Sequence, residues 1–216
     1  MSADPGLGPL GPKAVPAVGR RLTPKGAATR ARILELATEA FATDGYAVTS
    51  VRTVAVRAGI TTGAVYASFG SKANLLLEAV RESILVGLED VPPDVLERPL
   101  PDIVAWEFER SETPARVRQR KLLIEAAVAA TTDPEIADAL GELVGARLDD
   151  WAQALREWQR ESRVDPAADM RALTAVSMAI DLGMGILDQL RVPTPTPRQT
   201  AEFVGGYMKS LVPREH

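Results

Sequence analysis

Arg52, Thr61, Thr62, Tyr66, Ser68 and Lys72 bring two cations, three aliphatic hydroxyls and a phenol into one short stretch, with Gly63, Ala64 and Ala67 among them. These are not the cysteine, histidine and carboxylate donors from which metal sites are usually built. They do suit a polyanion. Lysine and arginine meet phosphates, while hydroxyls, methyls and a slim helix face can lie against base edges.

The rest of the chain offers little rival chemistry. It has no cysteine, so disulfides and thiolate zinc sites have no donors, and its single histidine is His216, which nearly excludes imidazole catalysis and histidine metal sites. There is no glycine-rich phosphate loop and no metal-spaced cluster. A carboxylate-only active site has no spacing in its favour. The expectation is a non-enzyme with no cofactor and no metal.

Charge is divided unevenly. Residues 1–72 carry nine Lys/Arg and four Asp/Glu, a balance of +5, whereas the remainder carries 16 and 25, a balance of −9. A basic head on an acidic body is the pattern of a protein that touches nucleic acid at one end. No stretch reaches the roughly 18 consecutive apolar residues of a membrane span. The N-terminus lacks a secretory pattern. A cytoplasmic protein with no membrane partner is expected. Five of the 16 prolines fall before Lys25, so residues 1–22 read as a disordered tail.

The elements that must position these side chains are helices. Ile33, Leu36, Ala37, Ala40 and Phe41 share one face, and Gly45 supplies a stop. Ser50 can cap a short helix with Val51, Val54, Ala55 and Ala58 inward. Gly59 then permits a sharp turn, and Thr61 can cap the next helix, where Val65 and Phe69 face inward. Thr62, Ala64, Ala67 and Ser68 are left outward, with Tyr66 beside them. An ordinary helical hairpin would more often carry long charged residues there. A helix entering the major groove needs a slim outer face on a rigid support.

The segment RILELATEAFATDGYAVTSVRTVAVRAGITTGAVYASFGSKANLL resembles the N-terminal domain of the TetR family of bacterial transcriptional regulators. The resemblance runs over 45 residues in register. It is carried by the Ala-x-x-x-Phe-x-x-x-Gly-Tyr end of the first helix, the Thr-Ser-Val-Arg entry to the second, Ala-Gly-Ile-Thr, and Tyr66-x-x-Phe69-x-Ser71-Lys72. It implies that Thr61–Phe69 is the recognition helix, that Lys72 and Tyr66 meet phosphates, and that Arg52 reaches backbone or base. Thr62 and Ala64 are then the expected base readers. The DNA-contacting candidates are Ser50, Arg52, Thr61, Thr62, Gly63, Ala64, Tyr66, Ala67, Ser68 and Lys72. Two positions depart from the family pattern. Thr62 stands where a basic or long polar residue is frequent, which shifts weight to Arg52 and to Arg20, Arg21 and Lys25 of the tail region. Thr53 replaces the usual acidic partner of the Ser50 cap.

Beyond this head the chain matches the family only in length and helical character. Thr113-Pro114, Asp133-Pro134, Asp165-Pro166 and Thr196-Pro197 each set a capping side chain before a proline, giving helices near 114–131, 134–162, 166–190 and 197–212. Thr196 and Gln199 fit a capping box. Four prolines between Glu89 and Pro101 interrupt the run begun at Ser71, and a short helix near 102–111 follows. The expected fold is all-α with about nine helices. A helix-turn-helix domain at 23–70 leads into a larger effector-binding and dimerisation domain at 71–216.

The run from Asp169 to Leu190 is apolar on more than one face, so it should be buried on more than one side. One stripe holds Leu173, Val176, Ile180 and Leu187, another Ala172, Ala175, Ala179, Leu182 and Ile186. Family members pair their last two helices into a four-helix bundle. That implies a homodimer interface including Ala172, Ala179, Leu182, Ile186, Phe203, Tyr207 and Leu211. An effector cavity is implied among the middle helices. Its candidates are Trp106, Arg110, Glu125, Trp151, Leu155, Met178, Asp181 and Met184, with Phe108, Leu122, Ile124 and Trp158 behind them. Asp181 and Glu125 sit within apolar runs and so need partners, either an effector or Arg110 or Arg120. The expectation is a transcriptional regulator, read as a repressor released from a palindromic double-stranded operator by an unknown apolar or amphipathic small molecule, with an activator or a ligand-free regulator left open because the sequence does not fix the sign. The alternative is a helical ligand-binding or scaffold protein that no longer binds DNA.

Overall fold

Helix α1 (Pro24–Asp44) opens at a cap-proline pair that the sequence reading passed over: Thr23 accepts the Gly26 N–H at 3.2 Å, and Pro24 takes the first helical position. The computed structural model describes residues 23–84, 92–96, 98, 100–160, 167 and 169–209. The tail at 1–22, Asp165, Leu211 and the distal ends expected for two helices lie outside the described residues.

Helix α1 ends at Gly45, whose φ of 94° is a conformation that side chains with a Cβ rarely adopt. Short helices α2 (Val51–Ala58) and α3 (Thr62–Phe69) follow, then α4 (Lys72–Ile84). Ser50 caps α2 by accepting the Thr53 N–H at 3.0 Å. In place of an acidic partner, the Thr53 hydroxyl meets the Ser50 hydroxyl at 2.9 Å. Ser71 caps α4 through the Asn74 N–H at 2.9 Å. Alone, helices of eight residues would not persist in water. They persist here because Val54, Val65, Phe41, Ile33 and Leu75 are almost wholly buried in a common core.

The body contains the single turn α5 (Pro93–Leu96) and then α6 (Leu100–Glu109), which runs into a 3₁₀ turn (Arg110–Glu112). Helices α7 (Pro114–Ala130), α8 (Pro134–Arg160), α9 (Met170–Gln189) and α10 (Pro197–Lys209) complete it. Among the described residues every regular element is a helix, and there is no strand. The fold is an N-terminal helix-turn-helix domain joined to a larger helical domain. Asp133 caps α8, and Thr196 with Gln199 forms the expected box on α10. Thr113 precedes α7 without a side-chain cap bond. Helix α9 begins at Met170, later than the proline at 166 suggests, because Asp169 accepts the N–H groups of Arg171 and Ala172 at 3.0 Å.

Head and body share one core. Leu122, Leu123 and Ala126 of α7 and Ile136 and Leu140 of α8 join the α1–α4 cluster. A second cluster lies between α6, α8, α9 and α10 around Phe108, Leu155, Leu173 and Val204. Helix α9 is long and apolar enough to cross a membrane by length and composition, with a mean hydropathy of 1.4, although no uninterrupted apolar run shows this in the sequence. Only 17% of its apolar window is buried.

Candidate nucleic-acid interface

The turn from α2 to α3 is made by Gly59 in the left-handed region, with the Ile60 N–H returning to the Ala55 carbonyl at 3.0 Å. Thr61 caps α3 through the Ala64 N–H at 3.2 Å. Val65 and Phe69 turn inward. Gly63, Tyr66, Ala67 and Ser68 are exposed, and Thr62 and Ala64 are half-buried at the N-terminal end of the same face. The surface is narrow, free of charge and open. The Ser68 hydroxyl donates to the Ala64 carbonyl at 2.9 Å, so toward a ligand its oxygen can act as an acceptor.

Behind this face the support is stiff. The Arg30 guanidinium lies 4.6 Å from the centre of the Phe69 ring and pairs with Glu78 at 2.9 Å, clamping α3 between α1 and α4. Arg57 ties α2 to the end of α1 through Asp44 at 2.9 Å.

Two cations stand at the borders. Arg52 is exposed on α2. Lys72, at the start of α4, sets its ammonium 4.2 Å from the centre of the Tyr46 ring and 3.4 Å from the Ala47 carbonyl. Partial burial pulls the Lys72 pKa below the ordinary lysine value. Burial, and then the charge of Asp133, push the Tyr46 phenol above its own. Val48 and Val56, which the sequence reading did not single out, are strongly exposed on the same head. The signal for Val56 was available, since it falls off the Val51/Val54/Ala55 face of α2.

A cavity of about 210 Å³ opens in the body between α4, α6, α7, α8 and α9. Of the sequence candidates, Trp106, Trp151, Leu155, Met178 and Asp181 line it, together with Phe108. Met184 instead faces a neighbouring cavity of about 170 Å³ beside Thr194, Pro195 and Thr200. Arg110 lies 4.3 Å over the Trp106 ring rather than in the lining. Glu125 is absent from the lining of either cavity. Its position, about 200° around α7 from Leu123 at 100° per residue, directs it to the head instead. Leu122 is buried in the main core and Ile124 is half-buried. Only the backbone of Trp158 lies within the described structure.

The cavity has a polar wall: Asp181 pairs with Arg120 at 2.9 Å, one of the partners the sequence offered it, while the pairing of Arg116 with Glu107 had been missed. Isolated charges on an amphipathic helix read as solvated face. Among the described residues no cluster of His, Cys, Asp and Glu could hold a metal.

The outer face of α9 is apolar and uncovered. Ala172, Val176, Ala179, Ile186 and Leu190 are exposed along it, and Phe203 of α10 is 79% exposed. Leu182 departs from the expected interface, since it turns inward to the cavity and packs on the main core. Of Tyr207 only the backbone is described.

Residues 33–79 match the family model described as bacterial regulatory proteins, tetR family. Among solved structures, the chain is similar to a protein from Rhodococcus sp. assigned as a TetR-family transcriptional regulator. That match has 17% identity and a TM-score of 0.73, covering 87% of this chain and 100% of that one. A protein from Saccharomonospora viridis assigned as a transcriptional regulator, solved in complex with choline, aligns at 19% identity and TM-score 0.67, over 87% of this chain and 100% of that one. NalD of Pseudomonas aeruginosa, the secondary repressor of the MexAB-OprM multidrug efflux pump, aligns at 26% identity and TM-score 0.60, over 87% and 97%. No curated protein matches the sequence.

Proposed function

Through residues 33–79 this chain belongs to the TetR family of bacterial regulatory proteins, and from that premise we propose that it is a homodimeric repressor released from a two-fold symmetric operator by a small amphipathic molecule. The observation that carries the reading is the outward face of α3, small and uncharged, held on a clamped core and flanked by Arg52 and Lys72. Thr62 and Ala64 act as base readers, a hydroxyl for hydrogen bonding and a methyl for contact with thymine. Ser50, Thr61, Gly63, Ala67 and Ser68 form the close-approach surface, while Tyr66, Arg52 and Lys72 bind backbone phosphates.

One such head offers few contacts, so affinity requires two. The uncovered α9 face and exposed Phe203 supply the seam for a second copy, as the high hydropathy and low burial of α9 require of a helix in water. The effector occupies the cavity between α6 and α9. Trp106, Trp151, Leu155 and Met178 would hold its apolar body, and the Arg120–Asp181 pair would meet its polar end. Relatives by structure include a choline complex and an efflux-pump repressor, which favours a cavity-bound small molecule as the releasing signal. Release follows to the extent that the effector binds a form whose two heads no longer match adjacent major-groove faces, about 34–36 Å apart.

Selecting bound fragments from random-sequence duplexes with the purified protein tests the reading. A two-fold symmetric site with half-sites one helical turn or a multiple apart is expected. Recovery of unenriched sequence at low salt would overturn it in favour of a helical ligand-binding protein.

A further inference from the structure

Tyr46 is where the head and the body meet through defined polar contacts. Its backbone N–H donates to the Glu125 carboxylate of α7 at 2.7 Å, across 79 residues of sequence. Its ring packs edge-to-face with Phe41 of α1, with centroids 5.5 Å apart, and carries the Lys72 ammonium over it. Gly45 makes the approach of Glu125 possible. A Cβ there would stand only 3.3 Å from the carboxylate oxygen, and the φ of 94° at Gly45 already disfavours one.

Lys72 is held without being neutralised. A ring face and one carbonyl fix the direction of the ammonium, yet neither supplies the full negative charge that would compete with a phosphate. The position of Tyr46 and Ala47 therefore sets where the charge is presented. The helix whose Glu125 holds the Tyr46 N–H, α7, also lines the cavity with Gln119, Arg120 and Leu123. Leu123 and Glu125 are about 3 Å apart along the axis, so a displacement of α7 by a cavity ligand reaches the Tyr46 N–H directly.

We infer that Glu125 is a positioning residue for the DNA contact of Lys72, acting through the Tyr46 backbone, and that α7 uses this contact to transmit the state of the cavity to the DNA-binding face. The inference rests on the reading of Lys72 as a phosphate contact.

The test measures binding of the full chain to random-sequence duplex DNA across a series of salt concentrations, because a phosphate contact acts on every sequence. Glu125→Ala and Glu125→Gln remove the same negative charge, but the glutamine carbonyl still accepts the Tyr46 N–H. Their difference isolates the hydrogen bond. Glu125→Ala should weaken binding by about tenfold relative to Glu125→Gln and lower the log–log salt slope by about one per protomer, as Lys72→Ala does. In a Lys72→Ala background, Glu125→Ala should then cost nothing further. Where Glu125→Ala fails to fold, Tyr46→Leu keeps the N–H, removes the ring face and should give the same loss of slope.

Equal slopes for the alanine and glutamine variants, or losses that add to those of Lys72→Ala, overturn the inference and leave the regulator reading intact. A Lys72→Ala protein with the parental slope overturns the phosphate assignment itself.

Discussion

Arg120 of α7 and Asp181 of α9 form an ion pair at 2.9 Å across the wall of the body cavity, with the arginine 9% exposed and the aspartate 42%. The two ends are unequal. Removing the carboxylate leaves a buried guanidinium uncompensated, whereas replacing the arginine leaves an aspartate that water still reaches. Asp181→Asn should therefore destabilise the fold by about 1–3 kcal/mol. Arg120→Met should cost less than that. Thermal unfolding of the two variants checks the order, and a larger loss for Arg120→Met would contradict it.

Gly185 lies against the shaft of Arg120, and a Cβ there would overlap the arginine Nε, Cδ and Cγ. Gly185→Ala should push Arg120 from its place and loosen the pair with Asp181. Although alanine favours a helix by up to about 1 kcal/mol over glycine, the variant should be no more stable than the parent. A rise in Tm would show that the arginine yields freely.

The Lys72 pKa is lowered in the folded chain, so the unfolded chain binds that proton more tightly. Stability from this group consequently rises with pH as the lysine loses its proton, below and up to its ordinary value of 10.5. DNA affinity runs the opposite way, because a phosphate needs the ammonium. Binding should weaken with rising pH earlier than an ordinary lysine allows, and Lys72→Arg should abolish that part of the fall. Burial, and then the charge of Asp133, raise the Tyr46 pKa, which moves its ionisation to higher pH. Binding curves for parent and Lys72→Arg at alkaline pH decide it, and identical profiles would contradict the assignment.

Ile186 is 44% exposed and Val176 is 53% exposed on the outer face of α9. A charge introduced there should cost little in a monomer, since solvated surface tolerates substitution within about 0.5 kcal/mol. In a dimer the same charge would be desolvated. Val176→Asp or Ile186→Lys should shift sedimentation from two subunits to one while leaving the helical content unchanged. Operator affinity should fall with it. A monomeric parent, or a variant that stays dimeric, would remove α9 as the seam.

The head was legible because its information is local. Ser50, Gly59, Thr61 and Ser71 are caps or turns whose effect is fixed within a few residues, and Val54, Val65 and Phe69 declare their faces by spacing. The body was harder to read because its facts are long-range. Leu182 and Ala179 share an apolar stripe in sequence, yet one faces the core and the other solvent, according to where α7 and α8 lie. Glu125 looked like a charge in an apolar run that needed an effector, Arg110 or Arg120 as its partner. Its partner is a backbone N–H, which no sequence pattern advertises. The cap of α9 is Asp169, on which two N–H groups converge, while Asp165 and Pro166 lie outside the described residues.

The most direct test of the account is to select binding sequences from random duplexes with the parent and with Thr62→Lys and Ala64→Ser variants, side by side. The account predicts that each variant changes the favoured bases at the same position of both half-sites, symmetrically, while their spacing stays fixed. One unchanged consensus for all three proteins would mean that the outer face of α3 does not read DNA.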